Sequence, residues 1–85
     1  MARALRVATS RVSLEHRVAY LAELCRRRSR LQASGCRFWV YEDLDAAGSF
    51  TEFTEGRDAT ALTSALAATG DGSDEATFLT EVELT

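Results

Sequence analysis

One six-residue run limits this chain more than any other: Cys36-Arg37-Phe38-Trp39-Val40-Tyr41. It is aromatic and β-branched, the composition of a strand. Successive side chains of a strand point to opposite faces, so Phe38 and Val40 share one side and Trp39 and Tyr41 the other. Both sides are therefore apolar. A sheet covered by helices on one side and by water on the other should alternate apolar and polar. Whichever pair meets the helices, the other is left over, together with Phe53 or Phe50 and with Leu79 or the set Phe78, Val82 and Leu84. An uncovered patch of that size is a liability on a monomer. The simplest cover is the same sheet of a second copy, so the run predicts a homodimer.

The rest of the chain supplies the remaining elements. Residues 4–12 alternate loosely, as a first strand does. Ser13 is placed to cap a helix that runs to about Leu31. Leu14, Val18, Leu21 and Cys25 recur at helical spacing and predict its buried face, with Leu24 and Leu31 flanking it. Ser34-Gly35 ends that helix. Phe50 to Glu55 forms a third strand, joined to the second through the loop Asp43–Gly48. Asp58 caps a second helix, Leu62 and Leu66 mark its inner face, and Gly70 stops it. Asp71 to Asp74 reads as a polar loop, and Ala76 to Leu84 alternates as a fourth strand. The order β-α-β-β-α-β is the ferredoxin-like unit, with two helices on one face of a four-stranded antiparallel sheet.

Eighty-five residues make a single domain, 1–85. A domain of that length buries only roughly 60–65% of the surface its unfolded chain exposes, so a second chain would help it. No run is apolar enough to span a membrane, and no secretory signal opens the chain, which places the protein in the cytoplasm by expectation. Two cysteines and one histidine give no tetrahedral metal set. Cys25 and Cys36 are expected as separate reduced thiols. His16 falls on the polar side of the first helix, so a surface histidine is expected there ahead of a general base.

Charge is unevenly placed. Residues 1–37 hold nine Arg against two acids (+7), and residues 38–85 hold one Arg against eleven acids (−10). A basic half can be a nucleic-acid arm, but it can also be neutralised by the acidic half on folding, and the second outcome is expected. Arg26, Arg27, Arg28 and Arg30 suit the negative end of the helix dipole better than a phosphate patch, because no aromatics are interleaved with them. Gly35 to Tyr41 has a superficial likeness to the aromatic strand of RNA-recognition domains. Here it lies on the second strand and not the third, where Glu52 and Glu55 would repel phosphate; nucleic acid is not expected as a partner.

The stretch Ser34 to Asp43, with Phe50-Thr51-Glu52-Phe53 and Asp58-Ala59-Thr60-Ala61-Leu62, resembles the dimeric α+β barrel superfamily, and within it the antibiotic biosynthesis monooxygenase-like group. The resemblance covers about residues 5–69. It implies a homodimeric α/β barrel whose two facing sheets enclose a cavity. It also implies an activity of cofactor-independent oxygenation, or the binding of a small aromatic metabolite, with Trp39, Tyr41 and Phe53 lining the site. A non-catalytic dimerisation or sensing module on the same fold is the alternative. The second helix lacks the histidine usual in that group, and His16 is the only imidazole in the chain. No catalytic residue, metal or cofactor is therefore assigned.

Overall fold

In the computed structural model, residues 2–70 and 75–84 are described. They form β1 (Ala4–Arg11), α1 (Arg17–Ala33), β2 (Arg37–Glu42), β3 (Ser49–Gly56), α2 (Ala59–Thr69) and β4 (Ala76–Thr80), with a single 3-10 turn at Leu14–His16 ahead of α1. The expected polar loop at Asp71–Asp74 lies outside the described residues. All strand pairs are antiparallel, in the order β2-β3-β1-β4. This is the ferredoxin-like topology that the element order predicts.

Barrel closure does not follow. β2 and β4 are the two edges of one open sheet, and among the described residues neither has a strand beyond it. The apolar second strand demanded a cover for its outer face, but a demand for cover is not a closed set of strands.

The sheet's two faces separate cleanly. Ala4, Arg6 and Ala8 of β1, Phe38 of β2, and Phe50, Glu52 and Thr54 of β3 are buried on the helix side. The main apolar cluster joins Ala4, Leu24, Leu31, Cys36, Phe38, Leu62, Ala65 and Leu66, with Tyr20 and Val40 packed against it. Gly56 ends β3 directly beneath α2. A Cβ there would sit 2.9 Å from the Leu62 backbone nitrogen, so only glycine lets the helix lie this close. Asp58 caps α2, its Oδ1 accepting from the Ala61 N–H at 2.7 Å, and Gly70 ends the helix in the left-handed region. Those two boundaries match the sequence reading.

Three expectations about local structure fail. Ser13 precedes the 3-10 turn and makes no side-chain cap; its Oγ lies 2.7 Å from His16 Nδ1. The fourth strand stops at Thr80, one residue short of the Glu81 N–H that donates to the Arg3 carbonyl at 2.9 Å. Most consequentially, α1 is turned so that the expected inner stripe faces out: Leu14 is 86% exposed, Val18 81% and Leu21 38%, and Cys25 is exposed too. Leu24 and Leu31, expected only as flanks, are buried instead.

Polar chemistry in the helix–sheet layer explains the rotation. Glu52 is only 4% exposed. It accepts from Arg27 Nη1 at 2.6 Å, from the Tyr20 hydroxyl at 2.7 Å and from Ser10 Oγ at 3.3 Å. A carboxylate taken out of water costs several kcal/mol unless it is paired and hydrogen-bonded. Tyr20 and Arg27 must face inward to serve it, and Leu24 and Leu31 share their side of the helix. Tyr20→Phe should therefore lower unfolding free energy by about 1.5–3 kcal/mol, the range for a hydrogen bond to a charged group. Urea denaturation at neutral pH measures it, and a change within error would show that the hydroxyl contributes nothing.

Candidate functional site

The helix-free side of the sheet gathers the aromatic residues. Cross-strand register sets Trp39 beside Phe53, Phe53 beside Val7, Tyr41 beside Thr51, and Leu5 beside Leu79. Trp39 and Phe53 stack nearly parallel, with ring centroids 5.5 Å apart and planes 9° apart. Tyr41 meets Phe53 edge-on at 5.7 Å. The structure thus brings Trp39, Tyr41 and Phe53 together, and it resolves the two-faced second strand: Phe38 and Val40 join the core, while Trp39 and Tyr41 take the open side. Tyr41 is 64% exposed and Leu79 50%.

Charges border this patch at one end. Glu55 receives Arg3 Nε at 3.0 Å and Arg37 Nη1 at 3.5 Å, and the Arg37 guanidinium also lies over the Trp39 ring at 5.2 Å. The arrangement has apolar aromatic area at its centre and ion pairs at its rim. It offers adhesion, through area and through the Tyr41 hydroxyl. Among the described residues, no group of His, Cys, Asp and Glu is placed to hold a metal ion.

The other candidates from the sequence are dispersed. His16 sits at the exposed entrance to α1, near Ser13 and Glu15. Arg26 and Arg30 both pair with Glu23, and Arg27 pairs with Glu52, so three of the four clustered arginines are engaged within the fold. Arg17 joins Glu42 through two bonds of 2.6 and 2.8 Å. The Arg27–Glu52 and Arg17–Glu42 contacts, with Arg3 and Arg37 on Glu55, tie the basic half of the chain to the acidic half, as expected. Cys25 and Cys36 are both free thiols, and burial pushes the Cys36 thiol up. No described helix is long and apolar enough to cross a membrane.

Sequence reasoning missed a second surface. Leu21, Leu24, Cys25 and Arg28 of α1 and Phe38, Trp39 and Val40 of β2 line a groove of about 480 Å³ along the sheet edge. The i, i+4, i+7, i+11 stripe on α1 was its signal, read as core because apolar periodicity alone does not say which neighbour covers a helix face.

Comparison with known proteins supports the fold and nothing narrower. No family model matches the sequence, and no curated protein matches it. The chain is similar to the crystal structure of a conserved protein from Methanosarcina mazei Go1, with a TM-score of 0.61 and 21% identity, covering 95% of this chain and 92% of that one. At that identity the likeness shows a shared fold alone. The expected kinship with antibiotic biosynthesis monooxygenases is therefore corrected: the turn at Ser34-Gly35 and the aromatic strand after it, which suggested that kinship, form part of an open ferredoxin-like sheet here.

The Arg17–Glu42 pair gives the site's surroundings a pH signature. The Arg17 guanidinium, and then the Gly48 N–H, hold the Glu42 carboxyl down to about 2. A depressed carboxyl contributes stability that is full above its unfolded value of about 4.3 and fades as pH falls toward the folded one. Urea midpoints should accordingly fall between about pH 4.3 and about pH 2, and Glu42→Gln should flatten that slope. An unchanged slope in the variant would assign the acid sensitivity elsewhere. At the alkaline end, burial and then Glu52 raise the Tyr20 hydroxyl well above the usual tyrosine value. Its share of stability is present below about pH 10 and declines above it.

Proposed function

We propose that this domain is a self-association module, and that the helix-free sheet face is the surface a second copy covers. The observation that supports it is the composition of that face: Leu5, Val7, Trp39, Tyr41, Phe53 and Leu79 lie side by side, and among the described residues no helix or strand lies over them. Helices occupy only one side, and a sheet's apolar face is stable when a second layer buries it. Two open sheets stacked about 10 Å apart supply that layer without closing into a barrel. A two-fold contact presents the same patch from both partners, so the pair uses up this face on each chain. The Arg3–Glu55–Arg37 cluster then forms a polar rim at the end of the contact, the usual arrangement of a protein interface.

Trp39, Tyr41 and Phe53 are the contact residues of this reading. A flat aromatic molecule is the other occupant they suit, since the parallel Trp39–Phe53 stack is a ready ring-binding surface. Sedimentation analysis at micromolar concentration separates the two. The expected outcome is an assembly of at least two chains whose mass is halved by Leu79→Glu, a change on the open face that leaves the core cluster untouched. A single-chain mass for the unmodified protein would overturn self-association. Quenching of Trp39 by phenols in that single-chain state would transfer the site to the small molecule.

A further inference from the structure

We propose that the outward stripe of α1 and the free edge of β2 together form a second two-fold contact surface, whose occupant is another copy of this chain joined edge to edge. This surface borders the open sheet face at Trp39 and Tyr41, and it rests on its own observations, the strand edge and the α1 stripe.

A sheet edge is a row of unpaired backbone groups, and proteins normally blunt such edges with charge, bulges or cover. The interior of β2, Phe38-Trp39-Val40-Tyr41, carries no charged side chain, and among the described residues no strand lies beyond it. On the helix layer beside it, Leu14 of the 3-10 turn and Val18, Leu21 and Cys25 of α1 are exposed to solvent. Strand edge and helix stripe meet in the groove that contains Leu21, Cys25, Phe38 and Val40. A partner that fits must add a strand and an apolar helix at the same time, at the same spacing. This chain itself has that shape.

Charge and aromatic pairing together choose the register. Two copies of β2 paired antiparallel about an axis perpendicular to the sheet keep both helix layers on the same side. Residues facing each other must then share a sheet face. Centring the axis on Val40 sets Trp39 against the partner's Tyr41 and Arg37 against the partner's Asp43, an aromatic pair and an opposite-charge pair. Centring it one residue earlier would set Arg37 against Tyr41, with no charge match, and one residue later would set Trp39 against Asp43, with no aromatic match.

The helices arrive at matching positions. The Arg17–Glu42 pair fixes residue 17 of α1 above residue 42 of β2. Two strand residues span about 6.6 Å and four helical residues about 6 Å, so Leu21 stands over Val40 and hence on the axis. Antiparallel α1 helices then oppose Leu21 to Leu21, Val18 to Cys25, and the Leu14-Glu15 end to Arg28.

The product is one continuous eight-stranded sheet with four helices on one side. Combined with the open-face contact it yields four chains, and the two contacts fail independently. Val18→Glu with Leu21→Glu should halve the sedimentation mass, as should Leu79→Glu separately, and all three changes together should leave single chains. The axis has its own test. Val18→Cys places a thiol opposite the partner's Cys25, so mild oxidation should give a covalent dimer on a non-reducing gel, while unmodified protein should not cross-link, because its two Cys25 residues stand about 12 Å apart along the helices. A Val18→Glu, Leu21→Glu variant with unchanged mass overturns the surface. A Val18→Cys variant that oxidises without cross-linking overturns the register.

Discussion

Glu52 is the residue on which the rest of the arrangement depends. Its carboxylate lies in the thin layer between sheet and helix, where it is almost wholly out of water. Such a group is tolerated only when charged and hydroxyl donors surround it, and here Arg27, Tyr20 and Ser10 do so. Because Tyr20 and Arg27 sit seven positions apart on α1, satisfying Glu52 fixes the rotation of the helix about its own axis. Arg17, three residues before Tyr20, is carried round to Glu42 by the same rotation, and its bidentate bond then secures the hairpin end, where Glu42 also accepts from the Gly48 N–H at 2.9 Å.

That rotation determines what the molecule shows to its surroundings. Inward go Leu24 and Leu31, which fill the core with Phe38, Leu62 and Leu66. Outward go Leu14, Val18, Leu21 and Cys25, which a simple amphipathic helix would have buried. The helix layer covers only one face of the sheet, so Trp39, Phe53 and Tyr41 are left to stack on one another across the opposite face. A domain this small therefore keeps two apolar surfaces uncovered. Both are bordered by charge, and both are of the kind that association removes from water.

Much of this was legible in the chain and part was not, for identifiable reasons. Turn chemistry at Gly35, the Asp58 cap and Gly70 set the element order, and the alternation of Phe38-Trp39-Val40-Tyr41 announced an uncovered face. Trp39, Tyr41 and Phe53 do lie together, because their parity on paired strands leaves no other outcome. The facing of α1 was misread. Two stripes compete on that helix, one at 14, 18, 21 and 25 and one at 17, 20, 24, 27 and 31, and the second contains two arginines. Apolar periodicity favours the first. Only the position of Glu52 across the layer favours the second, and that is a long-range fact. The barrel was an over-extension of a sound inference, since an apolar face asks for a neighbour without specifying how strands close.

The most direct measurement uses the single tryptophan. Trp39 stands on the open face, stacked on Phe53, so covering that face must change its access to solvent. Acrylamide quenching of its fluorescence, followed through a dilution series, reads that access without any substitution. The account predicts that quenching rises on dilution along the same curve as the loss of mass in sedimentation. Quenching that stays constant from concentrated to dilute protein, while the mass changes, would contradict the claim that this face is what the second copy covers.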